Sequence, residues 1–159
     1  MTVNSLKDLE KILQNKINSS LEKEVTNTVR NTMVRNIEDT VYGAYKPIEY
    51  NRRSIDDGLA DPSNIGGVLV NGELQVFNAT ITNPEIHVNG YNGISQNEGE
   101  YLTPIIEYGK NYDFNSENGD LGYEQPRPYV ENTREELKAT KDYITAFKQG
   151  LKRQGIDVE

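Results

Sequence analysis

Apolar side chains recur at every fourth position along the first part of the chain. The row consists of Leu9, Leu13, Ile17, Leu21, Val25, Val29, Met33, Ile37, Val41 and Tyr45. Ser5 and Asp8 are side-chain types of a helix-capping box, and no Pro or Gly follows them until Gly43. The pattern predicts a helix over residues 5–45, about 60 Å long at the rise of an α-helix.

A four-residue spacing does not match the period of an α-helix, so the row moves around the helix by about 40° per step and circles it about once. One flat surface cannot cover such a row. Either the helix bends or breaks near Asn27-Thr28, or its two ends pack against different surfaces. We favour the second interpretation, with the near end on its own domain and the far end on a neighbouring subunit. The far-end residues are Met33, Ile37, Val41 and Tyr45.

A β-hairpin with a further strand is predicted over residues 64–90. Asn71-Gly72 separates two short apolar runs, and both residues tolerate the positive φ of a two-residue hairpin turn. Pairing Val70 with Glu73 puts one apolar set on the face that we assign to the core. That set is Ile65, Leu69, Leu74 and Val76, and Ile81, Ile86 and Val88 suggest the further strand.

The last third of the chain is predicted as loops followed by a helix. Residues 100–130 read as loops with short ordered turns, and 101–109 fit a helical turn or a strand equally well. Pro126-Arg127-Pro128 fixes the backbone that leads onward, since each Pro restricts itself and the residue before it. A second capping box starts at Thr133 and predicts an amphipathic helix over residues 133–154, which Gly155 stops.

These elements predict an α+β fold in a single domain, residues 1–159, with a long N-terminal helix, a small antiparallel β-sheet with a hairpin, and a C-terminal amphipathic helix. The chain of 159 residues suffices for one core. Only 35% of it is hydrophobic, and the mean hydropathy is −0.75. A core this thin fits an elongated subunit that hides apolar surface against partners, or a monomer with long loops.

Charge and composition exclude several classes of protein. Cysteine is absent, which removes disulfides and thiolate metal sites, and no apolar run is long enough to target or span a membrane. Residues 47–130 carry 13 acidic and 4 basic side chains, whereas the parts on either side are balanced. This sign disfavours a surface that grips nucleic-acid phosphates.

The candidate chemical sites are weak. His87 is the only histidine, and no phosphate-binding glycine loop or nucleophile elbow is present. Asp113, Asn115, Glu117 and Glu124 have the spacing of a Ca²⁺-binding loop, but Asn118 stands where such a loop needs Gly. We therefore expect a plain acidic loop, no cofactor and no metal.

Eight of the ten tyrosines cluster around the predicted loops. Tyrosine is favoured at contacts where the ring is buried and the hydroxyl stays wet, so these residues fit an interface or a position beneath their own loops. The eight are Tyr42, Tyr45, Tyr50, Tyr101, Tyr108, Tyr112, Tyr123 and Tyr129.

Two short segments resemble the neck family of tailed bacteriophages, minor structural proteins also described as head–tail joining or tail-completion proteins. They are Glu107-Tyr108-Gly109 and, after a loop, Pro126-Arg127-Pro128-Tyr129-Val130 with its closing helix. The loop that holds Arg52-Arg53-Ser54 and Gly58-Leu59 is similar to the family's Arg-Thr-Gly-x-Leu region. Lys110 departs from the family's usual Thr.

The resemblance implies a homo-oligomeric ring without enzymatic activity in the virion neck, at the head–tail interface, assembled in the cytoplasm of the bacterial host. Connector and tail proteins would be its neighbours, and DNA would pass through its lumen without specific binding. We further expect the acidic middle segment to line that channel, and Arg127 to pair with a carboxylate of its own or the adjacent protomer. The Glu107–Gly109 and Pro126–Tyr129 segments would together fix the C-terminal helix against the sheet.

Three other functions stay open. Within the phage setting, the chain would suit a tail terminator at the head-proximal end of the tail tube. Outside it, a divalent-cation-dependent enzyme using the central carboxylates, or a monomeric binding module, is possible on the sequence alone.

Overall fold

The computed structural model describes residues 5–44, 46, 53–81, 101–109 and 125–158. One long helix opens the fold. It consists of α1 (Leu6–Ser20), a π-helical stretch (Leu21–Val25), α2 (Thr26–Asn36) and a second π-helical stretch (Ile37–Tyr42). The backbone is right-handed helical at each junction, so the helix is continuous. The predicted cap is confirmed, since Oγ of Ser5 accepts from the N–H of Asp8 at 3.1 Å.

The π-helical stretches correct the drift of the four-residue row. A π-helix closes its hydrogen bonds five residues apart and turns less per residue than an α-helix, so each stretch rotates the row back. Val25, Met33, Ile37 and Val41 are consequently all buried. The helix does not break near Asn27-Thr28, which lie inside α2.

The two halves of the long helix pack against different parts of the same chain. Met33, Ile37 and Val41 belong to the main core, so the prediction that the far end packs on a neighbouring subunit is wrong for these residues. Their aliphatic side chains meet the hairpin, α3 and α4 of their own chain instead. Tyr45, the last residue of that predicted set, lies outside the described residues.

The hairpin has the predicted register. Strands β1 (Ile65–Val70) and β2 (Glu73–Asn78) pair antiparallel with Val70 opposite Glu73. Asn71 and Gly72 both have positive φ, 53° and 85°. The predicted inner face is confirmed, because Ile65 is buried and Leu69, Leu74 and Val76 are half-buried while their neighbours point outward.

Ile81 forms an isolated antiparallel bridge with Tyr101. The predicted strand residues Ile86 and Val88 lie outside the described residues. The segment that the sequence left undecided is a helix, α3 (Leu102–Tyr108).

Two C-terminal helices replace the single one predicted over residues 133–154. They are α4 (Tyr129–Thr140) and α5 (Asp142–Arg153), separated by Lys141 with φ of 58°. Thr133 is not a cap; it is buried inside α4, where its hydroxyl donates to the carbonyl of Tyr129 at 2.7 Å. Gly155, with φ of 79°, ends α5 as predicted.

The main core lies between the far half of the long helix, the hairpin, α3 and α4. Its buried members are Met33, Ile37, Val41, Leu59, Ala60, Ile65, Ile106 and Tyr129. α4 packs on α2, and α5 runs back along α1 and the first π-helical stretch. The predicted α+β class is confirmed.

A polar clamp holds α5 to α1. Nζ of Lys16 donates to the carbonyl of Gln154 at 2.6 Å, and Nε2 of Gln154 donates to the carbonyl of Lys16 at 3.0 Å. Gly150 lies so close to Ser20 that an added Cβ would stand 2.8 Å from the serine Cβ. Arg153 pairs with Glu24 at 2.5 Å.

Candidate functional site

Glu107 is a carboxylate buried at the end of a short helix. Pro104 is tolerated in the first turn of α3, where no intrahelical N–H bond is needed, and Gly109 ends the helix in the left-handed conformation with φ of 62°. Glu107 therefore lies in the last turn, where only 7% of it is exposed. Burial of a carboxylate requires compensating hydrogen bonds.

The start of α4 supplies those hydrogen bonds. The N–H groups of Val130 and Glu131 donate to the two carboxylate oxygens of Glu107 at 2.9 and 3.0 Å. The residue before the helix is Pro128, which has no side-chain acceptor of its own. Glu107 thus caps α4 from another helix, and its negative charge meets the positive end of the helix dipole.

Pro126-Arg127-Pro128 runs beside α3. The prolines have no N–H, and the N–H of the residue between them, Arg127, donates to the carbonyl of Ile106 at 2.9 Å. The prolines themselves are exposed, whereas Arg127 is 9% exposed. The expected partnership of Arg127 with a carboxylate stays a prediction.

Tyr129, the first residue of α4, is completely buried and anchors that helix to α3 and the hairpin. Its hydroxyl lies 2.8 Å from Oγ1 of Thr103, which in turn donates to the carbonyl of Asn78 at 3.2 Å. Thr103 has one hydroxyl proton, so the Tyr129 hydroxyl is the donor to Thr103. Burial raises the pKa of Tyr129 far above its usual range, and the phenol stays protonated.

A second polar cluster fixes the loop that precedes the hairpin. Nδ2 of Asn78 donates to the carbonyl of Leu59 at 2.7 Å, and the hydroxyl of Thr80 bonds both Asn78 and the carbonyl of Gly58. Arg53 donates to the carbonyl of Ile81 at 2.7 Å. Residues 53–60 are thereby tied to the end of β2.

The structure brings together most of the predicted site. Glu107, Arg127 and Tyr129 form one buried unit, hereafter the α3–α4 frame, with Gly109, Pro126 and Pro128 at its edges. Tyr108 points outward and is 61% exposed, and Arg53 belongs to the neighbouring loop. Arg52 lies outside the described residues, as do the Ca²⁺-loop candidates Asp113, Asn115, Glu117 and Glu124.

Sequence reasoning missed Thr103, Asn78 and Thr80. A signal for two of them exists, since Asn-x-Thr at the end of a strand favours local side-chain to backbone hydrogen bonds. Thr103 acquires its hydrogen-bond partners only through the tertiary fold, and no local sequence signal predicts them.

The tyrosines divide between the two interpretations. Tyr129 is buried under its own chain, and the hydroxyl of Tyr42 accepts from the N–H of Ala60 at 3.3 Å. Tyr101 and Tyr108 are 60% and 61% exposed. Of these four described tyrosines, the second pair has the larger exposed fraction.

Among the residues that the structure describes, two apolar surfaces are exposed. The first, hereafter the leucine stripe, is Leu6, Leu9 and Leu13 on α1. The second, hereafter the apolar groove, has a volume of about 460 Å³ and is lined chiefly by Met33, Val76, Phe77, Tyr101, Pro104 and Val130.

Within the described ranges, no group of three or more His, Asp or Glu side chains is placed to hold a metal ion. In the same part of the chain, none of the helices has the length and apolar character needed to cross a membrane.

Comparison with known proteins identifies the family. The family model described as YomN matches residues 5–153, which include the long helix, the hairpin and the α3–α4 frame. The chain belongs to the YomN family. A relative from Bacillus subtilis (strain 168), "SPbeta prophage-derived uncharacterized protein YomN", is 28% identical over 159 residues, covering 98% of each chain. No solved structure matches the chain.

The YomN family is thus phage-associated through its prophage-derived member, which agrees with the phage part of the resemblance noted in the sequence. The alignment spans nearly the whole chain, so it covers the α3–α4 frame and both exposed apolar surfaces.

Proposed function

We propose that this protein is a structural component of a tailed-phage virion and forms part of the neck ring that joins the head connector to the tail, without a cofactor or enzymatic activity. One observation carries the proposal. The two segments on which the neck resemblance rests, far apart in sequence, are bound into a single buried unit by the Glu107 carboxylate and the Arg127 N–H. Membership of a family with a prophage-derived relative supports the phage setting.

The α3–α4 frame suits a mechanical role. Both oxygens of Glu107 are engaged by backbone N–H groups, and the buried phenol of Tyr129 keeps its proton. These groups hold α4 at a set position relative to α3 and the hairpin. A closed ring needs such fixed geometry, because every subunit must repeat the same rotation for the ring to close.

The acidic middle segment would line the channel in this ring. In the described part of that segment, Asp56, Asp57 and Glu73 are exposed, whereas Glu107 is used as the helix cap. Exposed carboxylates repel DNA phosphates and would let DNA slide past. A structure of the assembled neck tests this lining; a basic lumen, or these three residues on the outer wall, would disprove it.

The decisive experiment is to purify virions of the phage that encodes this chain, detect the protein by mass spectrometry and locate it by antibody labelling. Labelling at the junction of head and tail is expected. Absence from intact virions would refute a structural role.

Deletion of the gene distinguishes a neck ring from a tail terminator. Loss of a neck ring leaves filled heads separate from tails of normal length. Loss of a terminator leaves the tube end open to further subunit addition, so electron micrographs would show overlong tails.

A further inference from the structure

We infer that the leucine stripe of one copy of this protein docks in the apolar groove of the next copy. The inference rests on the proposed ring and deepens it by naming the two surfaces that meet. It concerns a contact between identical chains and needs no other protein.

The leucine stripe has the form of a helical ligand. Leu6, Leu9 and Leu13 are 87%, 41% and 39% exposed and follow the i, i+3, i+7 spacing by which amphipathic helices dock in grooves. They lie N-terminal to Lys16 and Ser20, the α1 residues to which Gln154, just beyond the end of α5, donates hydrogen bonds. All three leucines keep a large exposed fraction.

The apolar groove has the matching chemistry. Six apolar or aromatic side chains line most of it, and none of its lining residues is charged. Phe77 and Tyr101 are 48% and 60% exposed at its wall. Large exposed aromatic rings beside a concave apolar surface are typical of interface anchors.

A chain cannot bring its own stripe to its own groove. Leu9 and the groove residue Met33 lie on one continuous helix, about 35 Å apart at the usual rise per residue. The two surfaces can therefore meet only between different copies. Because they are not the same surface, the contact is heterologous and repeats from copy to copy, which is the arrangement that closes into rings.

Charge also favours this pairing. Within α1, three lysines stand against two carboxylates. The described part of residues 47–130, which supplies five of the six named groove residues, carries five acidic and two basic side chains. Opposite net charges steer two surfaces together and disfavour stripe-to-stripe or groove-to-groove contacts.

The absence of cysteine allows a direct test by cross-linking. Leu9→Cys and Phe77→Cys are introduced singly and together, and the proteins are oxidised at high concentration. A disulfide forms only where the two Cα atoms come within about 7 Å. Leu9→Cys combined with Ile55→Cys is the matched control, since Ile55 is 64% exposed and lies in neither surface.

The expected result is a ladder of covalent multimers from the double variant, and covalent dimers from a mixture of the two single variants. Yields no higher than the Ile55 control would overturn the inference, as would efficient dimers from Leu9→Cys alone, which indicate stripe-to-stripe pairing. Should Phe77→Cys fail to fold, judged by circular dichroism, Tyr101→Cys takes its place on the same wall of the groove.

A second measurement does not depend on oxidation. Leu9→Glu adds a charge to the stripe and is expected to weaken self-association by about tenfold or more in sedimentation experiments, whereas Ile55→Glu leaves it unchanged. Equal effects of the two substitutions would contradict a specific contact.

Cross-linking within purified virions separates this inference from the proposed function. Protein at the neck without a Leu9–Phe77 cross-link refutes the contact and leaves the neck role intact. A cross-link in solution with no protein in virions refutes the neck role and leaves the contact intact.

Discussion

At the scale of single residues, Glu107 supplies the helix cap that the residues next to α4 in sequence lack. Pro128 precedes the helix and offers no side-chain acceptor, so the first N–H groups of α4 depend on a carboxylate 23 and 24 positions away. The same contact joins two helices across residues 110–124. Because its cap comes from a residue distant in sequence, the start of α4 is determined by the tertiary fold and not by the local sequence.

Substitution of Glu107 by Gln is expected to lower the free energy of unfolding by about 1–2 kcal/mol, because the amide keeps one acceptor oxygen and loses the charge. Urea denaturation measures the change. Glu135→Gln is the control. It alters an exposed carboxylate of α4 that pairs with Lys138 at the surface, and because such exposed pairs contribute little, stability should stay nearly unchanged. Equal losses in the two variants would contradict the capping role.

Because the phenol of Tyr129 is buried, we expect the protein to lose stability at alkaline pH. Burial raises the pKa of its phenol in the folded state well above the value of about 10 that applies in the unfolded chain. The contribution of this pKa difference to stability is complete below pH 10. Above pH 10 the unfolded state binds fewer protons than the native state, so the free energy of unfolding falls by about 1.4 kcal/mol per pH unit. The free energies of unfolding of the native chain and of Tyr129→Phe are measured from pH 8 to 11. The free energy of the variant is expected to decline less, and the difference between the two curves separates Tyr129 from the other tyrosines.

At the scale of elements, close packing between the hairpin and the long helix requires a glycine at Gly67 but not at Gly66. A Cβ on Gly67 would stand 2.5 Å from Oγ1 of Thr26, whose hydroxyl is held by the carbonyl of Leu21. A Cβ on Gly66 would meet only the Phe77 ring, at 3.4 Å or more. The two positions differ by one step along the strand and face opposite sides of the sheet.

Gly67→Ala is therefore expected to destabilise the protein by about 1–3 kcal/mol through overpacking, while Gly66→Ala is neutral or slightly stabilising. Thermal or urea unfolding of the two variants checks the difference. A larger loss from Gly66→Ala would mean that the hairpin does not sit on the helix as described.

Local sequence predicted those elements whose determinants are local. The hairpin and its register follow from Asn71-Gly72, and the first helix starts at Ser5 as its cap indicates. The start of α4 was misplaced to Thr133 because its true cap, Glu107, is distant in sequence. The break at Lys141 has no Gly or Pro to mark it, and nothing before folding distinguishes it from a helical lysine.

The α3–α4 frame was predicted in part. Its two segments were grouped by resemblance, and the structure supplies the hydrogen bonds between them. The far-end residues of the long helix were misassigned to a neighbouring subunit because the four-residue spacing was read on an unbroken α-helix. The spacing alone does not reveal the two π-helical stretches that correct it; at the end of the first, the Thr26 hydroxyl donates to the carbonyl of Leu21 and lies against Gly67 of the hairpin.

At the scale of the whole molecule, the described chain has two packing regions along one helix. The far half carries the main core, and the near half is clamped by α5 through Lys16, Ser20 and Gln154. Lys141, in the left-handed conformation, is the single residue between α4 in the first region and α5 in the second. The regions share the long helix and that short joint.

Gly150→Ala tests whether the two regions respond separately. Its Cβ would stand 2.8 Å from the Ser20 Cβ and 2.6 Å from Oε2 of Glu24, so α5 must shift. We expect a net loss of about 1–2 kcal/mol and faster amide hydrogen exchange in α5 and α1, with the hairpin little changed. Lys148→Ala, an exposed change in the same helix, is the control; a uniform increase in exchange over the whole chain would contradict two regions.

The clamp between Lys16 and Gln154 also sets an order in time. These residues are 138 positions apart, so the surface of α1 that carries Ser20 lacks this partner until the chain has been synthesised through Gln154. Contacts of such long sequence separation form late, after the loop between them has closed. A nascent chain that stalls before Gln154 would thus expose this face of α1 without its packing partner, and a protease or chaperone could recognise it.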